Sequence, residues 1–110
     1  MPASLSTLWT PSGEAVAIFG LNILRPGVGE VWGIVDDRAR KCRGPFIRAA
    51  IETKELAFRA LKLWRIQAAI DETFKPGILL AEAAGFVCET RLASYIVPGS
   101  DSLIFSEVRP

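Results

Sequence analysis

Apolar positions along this chain follow two rhythms, strand-like runs and two windows with the period of a helix. Ser4–Trp9 alternates weakly and stops at Thr10-Pro-Ser-Gly13, where Pro and Gly call for a turn. Glu14–Leu24 is a mostly apolar run rich in branched side chains, the pattern of a strand buried on both faces. Arg25–Gly29 breaks it and Glu30–Asp36 reads as its partner, so residues 14–36 form a predicted hairpin, with Gly33 marking a bulge or a close backbone approach.

Beyond the charged loop Asp36–Gly44, Pro45 opens a helix, its ring placed where a missing N–H does no harm. From Pro45 to about Lys62, Ile47, Ile51, Phe58 and Leu61 recur on one face, and Arg48, Glu52, Glu55, Arg59 and Lys62 on the other. Arg48/Glu52 and Glu55/Arg59 stand at the i,i+4 spacing of helical ion pairs. Leu63–Ile70 then reads as a strand. Pro76 and Gly77 start a shorter helix, Ile78–Ala84, which Gly85 ends. Val87–Val97 is a long strand, Pro98–Asp101 a turn and Leu103–Val108 a closing strand. The expected order is β-β-β-α-β-α-β-β, an α/β (α+β) layer with helices against a mixed, twisted sheet.

Composition narrows the chemistry more than the fold. With 110 residues, 50% of them hydrophobic and 23% charged, the expectation is a single folded domain over residues 1–110. Thirteen Lys and Arg against twelve Asp and Glu leave a net charge of +1, which supplies no general pull toward nucleic acid or an anionic membrane. The absence of histidine removes Ser-His-Asp and Cys-His nucleophilic sites, imidazole metal sites and a histidine base. The two cysteines, Cys42 and Cys88, match no metal spacing and read as free thiols of a reducing compartment, and no metal site is expected. Met1–Trp9 lacks the marks of a signal peptide, and the apolar runs fall short of the ~18 residues a membrane span needs, so no membrane partner is expected.

Arg38-Ala-Arg-Lys-Cys-Arg43 packs four positive charges into six residues beside a helix N-terminus. The chemistry this suits is an anion site, phosphates first, with Asp36 and Asp37 as the alternative that simply balances a solvated loop. No aromatic ladder accompanies it, which counts against a single-stranded nucleic acid. Trp9, Trp32 and Trp64 fall on predicted strands and read as core or interface packing, Trp9 being the candidate for a subunit contact. Cys42 reads as loop filler, with cation-lowered reactivity as the alternative.

The element order, with Glu30–Asp36 running into Arg43-Gly-Pro-Phe-Ile-Arg48 and a long helix, resembles the C-terminal three-quarters of the GNAT N-acetyltransferase superfamily. Leu80-Ala-Glu-Ala-Ala-Gly-Phe86 stands where the family has Leu-Tyr-x-x-x-Gly-Phe, and Val16–Gly20 with Gly29–Trp32 looks most like small phage-encoded GNAT-like proteins, some of them virion-associated. The resemblance implies a mixed, mostly antiparallel sheet with two helices that lacks the family's usual N-terminal strand and helices. It implies a place for acetyl-CoA at Val35, Arg43, Gly44, Phe46, Ile47 and Arg48, on backbone amides at the start of the first helix. Phe46 and Arg48 replace the family's two glycines and Pro45 removes an amide, while the tyrosine acid position holds Ala81 and an asparagine position holds Phe74.

Within that resemblance Glu30 is the candidate general base and Tyr95, the only tyrosine, a substitute acid, with a solvent-facing glutamate and a packed aromatic as the plainer readings. The short segment before Thr10 leaves an edge and a sheet face to be covered, so a homo-oligomer or docking into a larger protein assembly is expected. The function this favours is a GNAT-like domain that no longer catalyses, a structural or interaction component of a phage particle or phage-encoded assembly. Its location would be the host cytoplasm or the virion. The alternative is an acetyl-CoA-dependent N-acetyltransferase with a diverged cofactor loop. What decides between them is whether the strands Glu30–Asp36 and Leu63–Ile70 zip together or stand open.

Overall fold

The computed structural model describes residues 2–9, 15–35 and 43–109, with side chains over 20–33 and 44–109. Eight elements follow in the expected order: β1 (Pro2–Trp9), β2 (Ala15–Arg25), β3 (Val28–Val35), α1 (Arg43–Ala60), β4 (Arg65–Asp71), α2 (Lys75–Ala83), β5 (Val87–Val97) and β6 (Ser100–Val108). The strands form one six-stranded sheet in the order β1-β2-β3-β4-β6-β5. Only β3 and β4 are parallel neighbours, joined as parallel strands must be by a crossover, here the helix α1. The fold is the mixed, mostly antiparallel α+β layer with two helices that the sequence predicts.

Local chemistry explains the boundaries. The β2–β3 hairpin turns on Pro26 and Gly27 alone, because Gly27 takes φ +86, which a side chain resists. A Cβ there would also lie 2.1 Å from the Trp64 ring. The turn is therefore tighter than the five residues Arg25–Gly29, and the register irregularity falls between Ile23 and Arg25, while Gly33 pairs in register with Phe19. At the other end of α1, Lys62 adopts a left-handed φ of 52, and Leu63 N–H returns to the Phe58 carbonyl at 3.2 Å. Trp64 and Arg65 then both donate to the Gly27 carbonyl, at 2.9 and 3.1 Å. That anchor fixes the start of β4 beside the hairpin tip and moves Leu63 and Trp64 out of the strand.

The core gathers on the helix-covered face around Ile66, which has no exposed surface, with Leu21, Ala57, Phe58 and Leu63 packed about it. Burial is less complete than the patterns suggest. Leu24 is nearly half exposed, so the described part of β2 is not buried on both faces, and Leu61 reaches solvent at the end of α1. Trp32 and Trp64 are also substantially exposed, the second stacked over Gly27, while the Trp9 side chain lies outside the described residues. Toward the other edge of the sheet β6 is buried or half-buried almost throughout, and β5, its outer neighbour, is exposed almost throughout.

Candidate functional site: a wedge between two parallel strands

The β3–β4 ladder is short. Val28, Gly29, Glu30 and Val31 pair with Arg65, Ile66, Gln67 and Ala68, and there the pairing stops. Both strands continue: β3 runs on to Val35 against β2, and β4 to Asp71 against β6. Anchored at Gly27 and released after Ala68, the strands diverge, and between residues 32–35 and 69–71 their facing edges form no ladder. Backbone groups freed in this way need partners, from water or a ligand.

A cavity of about 340 Å³ fills the divergence. Its walls come from β3 (Val31, Trp32, Gly33), from β4 (Ile66 through Asp71, except Gln67), and from α1 and α2. The helix positions that line it are mostly small: Ala50 and Ala57 on α1, Gly77, Ala81 and Ala84 at α2. Gly77 is obligatory in this packing, since a Cβ would fall 2.6 Å from the Phe74 ring and 3.2 Å from Ile70.

Lys54 stands at one wall of this largely apolar space, itself buried. Its Nζ donates to the Ala84 carbonyl at 2.6 Å and to Glu107 Oε1 at 2.7 Å, and lies 5.5 Å from the centre of the Phe86 ring. The ammonium thereby clamps the C-terminal end of α2, where the helix dipole favours a cation, to β6. Gly85, at φ +95, closes the helix beside it, and a Cβ there would sit 3.2 Å from Lys54 Nζ. Sequence patterning overlooks Lys54 because it stands inside the apolar stripe 47-51-58-61 of α1, at 54. A lone lysine in an apolar stripe is the signal that was there to be read.

Glu55, beside it, does not pair with Arg59 as the i,i+4 spacing suggests. Its carboxylate binds Arg109, whose guanidinium also reaches Glu107 at 2.6 Å and lies 4.1 Å from the centre of the Phe58 ring. The Arg109 hydrogen bond holds the Glu55 carboxyl below its usual range. At the other end of the cavity, Asp71 accepts from Ser100 Oγ at 2.6 Å and from Thr73 N–H and Oγ at 2.9 and 2.6 Å, and these bonds lower its carboxyl likewise.

The residues singled out from sequence are dispersed around this wedge. Glu30 lies in the paired stretch of β3, partly buried, where Gln67 Nε2 donates to its Oε1 at 3.2 Å, and it does not contribute to the cavity wall. Tyr95 is half exposed on β5, while its neighbour Ile96 reaches the wall. Val35 and Arg43 are placed as the last residue of β3 and the first of α1, their side chains outside the described residues. Gly44 and Arg48 are exposed, Ile47 is half buried and Phe46 is buried in the first turn. Phe46 is not part of the described cavity wall. Ala81 and Phe74 do line it. The basic run Arg38–Arg43 and Cys42 fall on the undescribed segment or its border, and Cys88 is an exposed free thiol. Among the described residues no cluster of Cys, Asp and Glu is arranged to hold a metal, and no helix is long and apolar enough to cross a membrane.

No protein-family model and no curated protein matches this sequence. Solved structures do match its fold. The ribosomal-protein-S5-alanine acetyltransferase of Vibrio fischeri superposes with a TM-score of 0.75 at 21% identity, over 89% of this chain and 56% of that one. A GNAT-family acetyltransferase from Bacillus anthracis gives 0.76 at 18% identity, over 89% and 61%. Another from Streptococcus pneumoniae gives 0.74 at 19%, over 92% and 64%. The chain thus spans less than two thirds of the length of each of these structures. At such identities the likeness is one of architecture: over nearly all its length, this chain has the fold of GNAT-family acetyltransferases.

Proposed function

We propose that this chain holds an acyl-CoA thioester, acetyl-CoA first among them, in the wedge between β3 and β4, and that it is a GNAT-type N-acetyltransferase. One observation carries this reading: the ladder ends at Val31 and Ala68 while both strands run on, with an apolar cavity between them. An extended arm bearing amides can pair with freed strand edges as an added strand would, and apolar walls suit its thioester end. The activities named for the similar structures agree.

The fit is best at the thioester end and thinner at the phosphates. An anion at the start of α1 would meet backbone N–H groups there, but Pro45, in the first turn, contributes none. Among the described residues, none beyond its chain neighbours and its own helix backbone comes within 4 Å of where a Gly44 Cβ would be. Acetyl-CoA supplies an activated acyl group when bound. What the chain's residues contribute is the strand edges that orient the arm and the apolar enclosure that keeps water from it.

A non-catalytic GNAT-fold component is the second reading, favoured by Ala81 and Phe74, which give the cavity no side-chain hydrogen bond where the resemblance places a tyrosine and an asparagine. Its assignment to a phage particle rests on sequence resemblance alone. Calorimetric titration with acetyl-CoA tests the proposal, with Ala68→Leu narrowing the wedge. Micromolar binding, weakened tenfold or more by the leucine, is expected. Absence of heat at millimolar ligand would overturn it. Binding without transfer of labelled acetyl groups to any member of a panel of primary amines would decide for the second reading.

A further inference from the structure

Lys54 is placed to do more than clamp a helix. An ammonium carries three hydrogens. The Ala84 carbonyl and Glu107 take two of them, and Glu55 Oε1, at 3.9 Å, is too far to accept the third. Lys54 is also part of the cavity wall. Its amine sits near the closed end of the wedge: Glu107 pairs with Ile66, and the β3–β4 ladder ends two residues further on at Ala68, about 7 Å along the strand. An arm entering from the open end of the wedge would bring its terminus there.

We infer that Lys54, on the reading that the wedge holds an acyl-CoA thioester, is the cationic donor that stabilises and protonates the departing thiolate, the task for which Ala81 has no group. When the carbonyl carbon forms its bond to an acceptor nitrogen and the carbon–sulfur bond breaks, the electron pair leaves with sulfur. Lys54 gives that sulfur a proton and recovers one from water, while the new amide nitrogen sheds one to water. Protons, electrons and atoms balance. In an apolar enclosure a fixed ammonium acts on such a charge far more strongly than in water.

The charged groups around Lys54 are Glu107 on β6, Glu55 on its own helix, the Arg109 guanidinium that shares both carboxylates, and the negative end of the α2 dipole; the carboxylates and the dipole hold the ammonium in place. The Phe86 ring completes its surroundings. Asp71, the carboxylate in the cavity wall, lies five residues beyond Ile66, about 16 Å along β4, with both oxygens engaged by Ser100 and Thr73.

The test is an ultraviolet titration of the CoA thiol bound to the whole protein, read by its thiolate absorbance, in the wild type, Lys54→Met and Lys54→Arg. Below the midpoint of free CoA, the wild type is expected to raise the thiolate fraction about tenfold or more. Lys54→Met should abolish the rise and Lys54→Arg should retain most of it. Bound CoA whose thiol titrates like free CoA in the wild type, or a rise that survives Lys54→Met, overturns the inference and leaves acyl-CoA binding standing. Failure of the wild type to bind CoA overturns both. Should Lys54→Met not fold, Lys54→Gln keeps a donor for the Ala84 carbonyl and takes its place, under the same criteria.

Discussion

Gly27, outside the site, and Ile66, in its wall, hold the site's geometry. Gly27 sits at φ +86 under the Trp64 ring and receives the two N–H groups that start β4. Gly27→Ala adds about 1–2 kcal/mol of left-handed strain and displaces the indole as well. Unfolding in urea should show a loss larger than that strain alone, and acetyl-CoA binding should weaken with it, because the anchored end of the wedge has moved. Ile66 lies wholly inside the core on the face that α1 covers. Ile66→Ala should lower stability by about 2–5 kcal/mol. Against a total of roughly 5–15 kcal/mol for a domain, the melting temperature should fall steeply in calorimetry. A change in Tm of a degree or two would show that the core is not centred there.

At the scale of elements, local signals were legible and non-local ones were not. The strand Val87–Val97 agrees with the sequence reading to the residue, and α2 ends within one residue of it but starts three earlier, at Lys75; Pro76 and Gly85 act on the chain immediately around them. The β2–β3 turn is shorter than the break Arg25–Gly29 suggests, because its tightness depends on Trp64, which packs on Gly27 from far along the chain. Trp64 left the predicted strand for the same reason. The wedge is the clearest case: the family resemblance makes the two strands neighbours, but the point at which they part depends on the anchor at Gly27, which is set by contacts distant in sequence. Lys54 escapes a reading that follows the apolar positions of α1 and not the polar one among them.

The wedge makes its own prediction at this scale. Ala68→Leu fills space that no protein atom occupies, so it should leave urea stability unchanged or slightly raised while binding falls, a separation that a simple folding defect would not give. Equal losses of stability and binding would place Ala68 in the packed core instead.

For the molecule as a whole, the helices are tied to the sheet by charge as well as by apolar contact. Arg109, next to the end of β6, joins Glu55 of α1 to Glu107, and Lys54 joins Glu107 to the end of α2. Glu55 is lowered chiefly by Arg109, Asp71 by Ser100 and then Thr73, and Glu89 by Arg65 and then Ser106. Carboxylates depressed in the folded state add stability that is present above their unfolded values and is lost as pH falls through their folded ones. Urea midpoints should therefore hold near neutrality and decline below roughly pH 4. Asp71→Asn should be destabilised relative to wild type at neutral pH, and the gap should narrow in acid. A gap that widens in acid would contradict the assignment of Asp71 as a carboxylate favoured by its hydrogen bonds.

The account depends most on the wedge being a place where an arm pairs with strand edges. Amide chemical shifts of isotope-labelled protein, followed as acetyl-CoA is added, report on those edges one residue at a time. Shifts concentrated at Trp32–Val35 and Ala69–Asp71, with slowed hydrogen exchange at the same amides, are the predicted result. Saturable shifts confined to other surfaces, with these amides unmoved, would contradict it.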